Sequence, residues 1–463
     1  MKKKLSVIVC LVLILSMMTG CTTFNNFKNA FFSDNSAITN VEKSERTIKF
    51  GVYQPLTGAY KDAGNQEKIG IELAHELYPE VLGRKIELVY ADNQGDMYVA
   101  ETVIKELIAQ EPSVILGSYG ETVTLVAGDF VKEAMIPSIT LTGTNHLLTV
   151  NNPYYFTATF SETKQGYALA DFVCKQNGKK KVATVRVAGD DTVTATVQRF
   201  NSKVKSITED SKSVVGNYTL NIEENDFTET LKKIKASGAE AVFLAVSPAK
   251  AKDFLKQAKE AKMDNLLYVG TKAWNDKDFL KYLSTEKAFD IGYTSDFVVD
   301  ANMTKMSETF IKAYKAKYGQ NAEPTEAMAV AFDGYIMARA AVEKAYNDIL
   351  ATDFEALAKD SNVTQEQIKK IRTDWLETQQ YGFPKGSLIR EALANLKNFE
   401  GASGTISYEG TNEPNKTIVV NHNLKGEVQL PVTQEDKDVV KGTEDAKEET
   451  TNDDTEITDN DEE

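Results

Sequence analysis

Cysteine is scarce in this chain, with residues at positions 10, 21 and 174 among 463. We expect Cys10 to leave with an N-terminal signal and Cys21 to be modified, which leaves Cys174 without an internal partner. A disulfide framework is therefore excluded, and the apolar core alone must stabilise the fold, as a chain of this length allows. Cys174 lies in an apolar pattern and is expected to be a buried small hydrophobe.

Histidine is equally scarce, with His75, His146 and His422 only. None of them accompanies a serine or cysteine nucleophile motif, an HExxH pattern or a cysteine pair. The abundant acidic residues form no recognisable catalytic pair. These absences argue against an enzyme, and the sequence implies no cofactor and no metal.

Long apolar runs are absent after the first twenty residues. Residues 5–18 form one such run behind three lysines, too short for a comfortable membrane span and typical of a secretion signal. Met18-Thr19-Gly20-Cys21 closes it and resembles a bacterial lipobox, although an ordinary signal with a chance cysteine is an alternative. We expect a signal peptide at 1–20, a flexible tether at 21–46 and localisation on the outer face of the cytoplasmic membrane through lipidated Cys21.

Acidic charge is concentrated at the other end. Residues 434–463 hold fourteen acids and three lysines, against a net charge of −15 for the whole chain. Such a segment buries too little surface to offset its chain entropy, so 432–463 is expected to be a disordered tail. The acids lack the spacing and glycine of a calcium-binding loop. The remaining body is mildly acidic, which gives no reason to expect nucleic acid as a partner.

Between these ends, short apolar runs alternate with amphipathic stretches. The first series predicts strands at 48–52, 85–90, 113–117 and 138–141, with helices at 66–77, 99–108 and 121–134. After a turn-rich passage at 151–156, a second series predicts strands at 182–187, 214–220, 241–245 and 266–270. Strands joined by helices of this length indicate parallel sheets with right-handed crossovers. The expected fold class is α/β, with two doubly wound lobes facing each other across a cleft.

Several short motifs follow one another along nearly the whole body: GVYQPLTG at 51–58, YADNQGD at 90–96, VILGS at 114–118, TGTN at 142–145 and GTISY at 404–408. Their order resembles the leucine/isoleucine/valine-binding branch of the type I periplasmic binding proteins, which serve ABC importers. The resemblance implies three crossovers between the lobes. Lobe one would hold residues 47–160 and 292–405, and lobe two 161–291 and 406–431. The segment from about 348 to 385 is longer than the family usually has at this place. It is expected to form a helical insertion on the surface of lobe one, either without a function of its own or as a contact for a partner.

The resemblance also implies a ligand site between the lobes. The loop after strand 113–117 and the following helix start would offer N–H groups and hydroxyls to a ligand carboxylate, since helix N-termini favour anions. The loop after strand 138–141 would offer a carbonyl and a threonine hydroxyl. Some of these residues are equally compatible with plain turn chemistry. The expected ligand-binding residues are Tyr60, Tyr119, Gly120, Glu121, Thr122, Thr142, Gly143, Thr144, Thr192, Ser247, Lys272 and Trp274, with the tyrosines and Trp274 as walls.

Two of these residues depart from the family pattern. Glu121 aligns where a small hydroxyl residue usually receives the ligand carboxylate, and Lys272 aligns where an acid usually receives the ligand ammonium. An amino acid in the usual pose would therefore meet two like charges. Three interpretations remain open: both side chains point to solvent, they pair with each other across the cleft, or Glu121 receives a cation and Lys272 an anion from a differently oriented ligand.

The expected function is that of a lipid-anchored substrate-binding protein of an ABC transporter. It would capture an amino acid or a related small polar solute by lobe closure and deliver it to a membrane permease. The alternative is a ligand-sensing or non-binding scaffold lipoprotein with the same fold. We expect a monomer whose partners are the solute, the permease and, through Cys21, the membrane.

Overall fold

The computed structural model describes residues 47–299, 304–428 and 432–434. The predicted signal peptide, the tether with Cys21 and residues 435–463 of the acidic tail lie outside these ranges. Within them, no helix combines the length and the apolar character that a membrane crossing needs. The described chain forms two α/β lobes and a small third sheet.

The elements follow one another mostly as strand and helix. The strands are β1 (Ile48–Gln54), β2 (Glu80–Val81), β3 (Arg84–Asp92), β4 (Val114–Leu116), β5 (Ser138–Thr140), β6 (Tyr155–Thr157), β7 (Val182–Val187), β8 (Val214–Leu220), β9 (Ala241–Ala245), β10 (Leu267–Gly270), β11 (Asp290–Ser295), β12 (Phe399–Gly401), β13 (Gly404–Ser407), β14 (Asn415–Lys416), β15 (Ile418–Leu424), β16 (Glu427–Val428) and β17 (Val432–Gln434). The helices are α1 (Lys61–Leu77), α2 (Met97–Ile108), α3 (Glu121–Glu133), α4 (Glu162–Asp171), α5 (Asp191–Thr208), α6 (Thr228–Ser237), α7 (Pro248–Glu260), α8 (Lys277–Thr285), α9 (Lys305–Tyr318), α10 (Glu326–Leu350), α11 (Phe354–Lys359), α12 (Gln365–Tyr381) and α13 (Gly386–Ala394). Short 3₁₀ turns occur at His146–Leu148 and Lys272–Trp274, and a π-helical turn at Phe172–Gln176 extends α4.

Lobe one is built on a sheet with the strand order β2–β3–β1–β4–β5–β6. All its pairs are parallel except the β2–β3 hairpin. The central strand β1 is buried along almost its whole length, as expected for a parallel strand covered by helices on both faces. Strand β6 was not predicted, because the turn signals at 151–153 obscure its three buried residues.

Lobe two is built on a sheet with the order β16–β15–β11–β10–β9–β7–β8, and β17 pairs with β15. The pairs from β7 to β11 are parallel, whereas β15 runs antiparallel to β11. The expected fold class, two wound α/β lobes, is therefore confirmed, with antiparallel strands added at one edge of each sheet.

Three boundaries differ from the sequence-based expectation. The expected boundary at 291/292 falls inside β11, whose pairing with β10 and β15 keeps residues up to Ser295 in lobe two. The boundary at 405/406 also moves, because Ile406 and Tyr408 pack into the core of lobe one. The predicted disordered tail starts too early, since β17 at its beginning pairs with the open edge of β15.

Residues 348–385, expected to form a helical insertion, contain helices α11 and α12. Helix α10 is a core element, with Phe332, Tyr335 and Met337 fully buried. Beyond it, α12 begins with a capping box in which Thr364 and Gln367 satisfy each other's backbone N–H groups. Lys385, just before α13, forms an ion pair with Asp374 of α12 and so joins these two helices.

Candidate ligand-binding cleft

The three crossovers between the lobes meet at one buried carboxylate, Asp296. The chain passes from lobe one to lobe two after β6, returns after β11 and passes again after β14. Thr159, from the first passage, donates a hydrogen bond to Asp296 at 2.6 Å. Lys416, from the third, forms an ion pair with Asp296 at 2.7 Å, and both side chains are fully buried. These three crossovers form the hinge between the lobes, which is stabilised by ionic contacts as well as by chain connectivity.

Lys416 has further partners on lobe one. Its ammonium donates to the Ser403 hydroxyl at 2.6 Å and to the Ala158 carbonyl at 3.3 Å. Ser403 in turn donates to the carboxylate of Asp333, which also accepts the backbone N–H of Ser403 at 2.9 Å. Burial raises the pKa of Asp333 to about 6 despite the nearby lysine.

Lys272, in the turn that follows β10, crosses from lobe two to lobe one. Its ammonium donates to the Thr142 carbonyl at 3.2 Å and to the Thr159 hydroxyl at 2.8 Å, and it lies 3.5 Å from Asp296. An ammonium has three N–H bonds, and these three oxygens surround it. The side chain is 17% exposed, and among the described residues it forms no ion pair with Glu121. Neither the solvent-exposed nor the Glu121-paired arrangement of Lys272 is present.

Glu67 is a second buried carboxylate, on the lobe-one wall of the cleft. It accepts from Thr142 Oγ1 at 2.5 Å and from Gln54 Nε2 at 2.6 Å. Gln54 also accepts the N–H of Tyr119 at 3.0 Å, so Glu67 and Gln54 connect the two ligand-facing loops of lobe one. Burial raises the pKa of Glu67 to about 7, although the positive charge of Lys272 opposes this.

Glu326, the first residue of α10, makes another contact between the lobes. It accepts the backbone N–H of Asp296 at 3.0 Å and the side-chain amide of Asn275 at 2.7 Å. The Ser295 hydroxyl donates to the same carboxylate at 3.0 Å. Burial and the adjacent Asp296 carboxylate raise the pKa of Glu326 to about 7.

The outer end of the cleft on lobe one carries fewer committed groups. Glu121 is half-buried at the start of α3 and accepts from the side-chain amide of Asn145 at 3.2 Å and from the hydroxyl of Thr192 at 3.3 Å. The rings of Tyr60 and Tyr119 lie 6.1 Å apart, and Tyr60 is 52% exposed. Burial, with the nearby Glu67, raises the pKa of Tyr119. The two tyrosine rings therefore lie beside each other, near the start of α3.

The other predicted residues of lobe one contribute backbone geometry and backbone hydrogen bonds. Gly120 has φ +95°, which favours glycine, and it precedes the first turn of α3. A Cβ on Gly143 would lie 2.8 Å from Thr140 Oγ1, so packing requires glycine there. The Thr144 carbonyl accepts the N–H of Glu162 at 3.4 Å, at the first crossover. Thr122, the second residue of α3, is exposed to solvent.

Trp274 is not a wall of the cleft, contrary to the prediction. It is fully buried in the core of lobe two, stacks near Phe279 at 4.9 Å and donates from Nε1 to the Val246 carbonyl at 3.1 Å. Ser247 is exposed and caps α7 by accepting the N–H of Lys250. Thr192 lies in the first turn of α5, and its hydroxyl donates to the Glu121 carboxylate at 3.3 Å, from lobe two to lobe one.

Five polar residues that shape the cleft were missed by sequence reasoning. One signal was available for Glu67, an acid on the buried face of α1 beside Gly64, Ile71 and Ala74. The others become meaningful only when distant segments meet. The missed residues are Gln54, Glu67, Thr159, Asp296 and Glu326.

Two surface grooves lie outside this cleft. One of about 740 Å³ is at the base of lobe one, beside Lys49, Met135 and Phe383. Another of about 930 Å³ lies behind the hinge, between Asn152 and Asn415. The candidate site is defined by polar groups that converge from both lobes.

The fold and the cleft together define a two-lobed binding protein. A profile of the periplasmic binding protein family matches residues 47–419, and the chain belongs to this family. The resemblance drawn from the motif order is thereby confirmed.

Relatives and solved structures agree with this assignment. Leu/Ile/Val-binding protein homolog 3 of Brucella melitensis is 26% identical over 233 residues, which are 48% of this chain and 61% of that protein. LivJ of Streptococcus pneumoniae, solved with isoleucine, has a TM-score of 0.63 and 22% identity, with coverage of 84% of this chain and 100% of that one. A solute-binding protein from R. palustris, solved with benzoate, has a TM-score of 0.60 and 18% identity, with coverage of 84% and 96%. At these identities the two solved structures share the fold.

Proposed function

We propose that this chain is the solute-binding component of an ABC importer, which holds a small polar solute between its lobes and delivers it to a membrane permease. The observation that carries the proposal is the direct bond across the cleft, from Lys272 of lobe two to the Thr142 carbonyl of lobe one at 3.2 Å. The loops that follow β4, β5 and β10 are thus close enough for one small molecule to touch both lobes.

The architecture supplies what solute capture requires. The contacts within the hinge keep the three crossovers together while the two lobes rotate about them. A bound solute stabilises the closed arrangement because it contacts both lobes. The role needs no catalytic group, so we propose binding without catalysis. The two solved neighbours contain isoleucine and benzoate, so fold alone does not define the solute and the residues of this cleft must decide it.

The test is calorimetric titration of the full chain, purified in detergent, with amino acids, carboxylic acids, amines and short peptides. We expect saturable binding of at least one class at one site per chain. At about 1,000 times its Kd, that solute should raise the free energy of unfolding by about 4 kcal/mol. Absence of binding across all four classes would contradict a transport role and favour the scaffold alternative.

We further propose that Cys21 carries a lipid and holds the protein at the outer face of the cytoplasmic membrane. The motif Met18-Thr19-Gly20-Cys21 supports this. Metabolic labelling with a fatty-acid analogue should mark the protein, and Cys21→Ser should abolish the label and release the chain from membranes. Cys174→Ser is the matched control and should leave both properties unchanged.

A further inference from the structure

Lys272 is held in place by more than its ammonium contacts. Its backbone N–H donates to Gln165 Oε1 at 2.7 Å, and the same amide oxygen accepts from Thr294 at 2.7 Å. The ammonium also lies 5.5 Å from the ring centre of Phe160, a fully buried side chain. Because contacts fix both ends of the residue, Lys272 is a built part of the cleft and not a mobile surface lysine.

The oxygens that could receive a solute ammonium at this place already receive that of Lys272. They are the Thr142 carbonyl, the Thr159 hydroxyl and the Asp296 carboxylate. The neighbouring carboxylates of Glu67 and Glu326 accept from other protein donors. A second ammonium at this place would therefore compete with Lys272 for these oxygens and would meet a like charge in a site shielded from water.

Donors for an anion remain one loop away. Thr124 is the first residue of α3 whose N–H bonds back to the preceding turn, at Gly120, so the earlier N–H groups have no acceptor within the helix. The loop before α3 is joined to the Thr142 loop through Gln54 and Glu67. Glu121, the first residue of this helix, has its carboxylate engaged by Asn145 and Thr192. In an amino acid the ammonium and the carboxylate share one carbon, so a carboxylate bound at the free N–H groups brings its ammonium toward Lys272.

We infer that Lys272 determines the specificity of this cleft: its ammonium fills the cation position between the closed lobes, so the solute is a carboxylic acid without the ammonium group of an amino acid. The inference rests on the proposed function. It predicts discrimination by a single group, since the same carbon skeleton should bind as the acid or the 2-oxo acid and be rejected as the amino acid.

Matched compounds test this directly. Full chain in detergent is titrated with leucine, 4-methylpentanoate, 4-methyl-2-oxopentanoate and 3-methylbutylamine, and with the corresponding phenylalanine series. We expect at least one acid or 2-oxo acid to bind about a hundredfold more tightly than its amino acid. Tighter or equal binding of an amino acid or of an amine would overturn the inference and leave the proposed function standing. Binding of none would overturn the inference for these skeletons, and the four-class titration described above then decides the proposed function.

Two variants test the role of the lysine itself. Lys272→Met keeps the length of the side chain and frees the Thr142 and Thr159 oxygens, and Asp296 remains paired with Lys416. We expect this variant to reduce the preference for the acid by at least about tenfold, through a gain in amino-acid affinity. Lys272→Arg retains the charge and should retain the preference. An unchanged ratio in folded Lys272→Met, as judged by circular dichroism, would contradict the role assigned to Lys272.

Discussion

The two ends of the contact between the lobes differ in how their polar groups are satisfied. At the hinge end, Asp296, Lys416 and Lys272 are buried or nearly so, and each is bonded to other protein groups. At the outer end, Glu121 accepts from Asn145 and Thr192 but is only half-buried, and Tyr60 is largely exposed. The difference indicates that the hinge end is determined by the protein alone, and that the outer end has capacity left for a solute.

Of the substitutions that test this difference, one at Lys416 should have the largest effect on stability. Lys416→Met removes the nearest cation of buried Asp296 and should lower the free energy of unfolding by about 3–5 kcal/mol, because an uncompensated charge stays buried. Lys385→Met is the control. Lys385 is 42% exposed and pairs with Asp374 and Glu377, so its loss should cost at most about 1 kcal/mol. Equal losses in chemical denaturation would refute the special status of the hinge.

The two tryptophans provide the next test. Trp274→Phe leaves a small cavity and an unpaired Val246 carbonyl, so it should destabilise the protein by about 2 kcal/mol without changing solute affinity. Trp375, on the helical segment beyond α10, is half-buried and packs against Phe354. Trp375→Phe should cost about 0.5 kcal/mol. A loss of solute affinity in Trp274→Phe would restore this residue to the cleft wall.

Glu326 should make stability depend on pH. Its pKa is raised from 4.5 to about 7, so the folded protein binds this proton more tightly than the unfolded chain does. The resulting stability is fully present below pH 4.5 and is lost as pH rises through about 7. Glu326→Gln should therefore flatten the decline between pH 5 and 8 by about 1–2 kcal/mol.

The control for this profile is Glu343→Gln, on an exposed position of the same helix. It should leave the pH dependence of the free energy of unfolding as in the unaltered protein. Parallel profiles for Glu326→Gln and the unaltered protein would show that Glu326 does not titrate in this range.

The smallest effect on stability is expected at the outer end. Glu121→Gln preserves size and the contact with Asn145 and should change the free energy of unfolding by less than about 0.5 kcal/mol. If Glu121 contacts the solute, affinity should change about tenfold in calorimetry. Glu133→Gln, exposed near the other end of α3, should change neither. Unaltered affinity in Glu121→Gln would place the solute away from this residue.

Local pattern predicted most of the wound elements, since strands such as β7, β8 and β9 coincide with their apolar runs. It failed where tertiary pairing decides, as at β6 and at the edge strand β17. Sequence also identified Lys272 as unusual. Its role depends on Thr142, Thr159 and Asp296, which lie 130, 113 and 24 residues away along the chain, and no local pattern reports such a meeting.

The late crossover has a consequence for the order of folding. Ile406 and Tyr408 complete the core of lobe one, whose first strand begins at Ile48. The sheet of lobe two from β7 to β11 lies in one continuous stretch between these parts. Contacts over such long chain separations form slowly. During synthesis, the central sheet of lobe two can therefore assemble first, and lobe one must wait for nearly the whole chain before its core is complete.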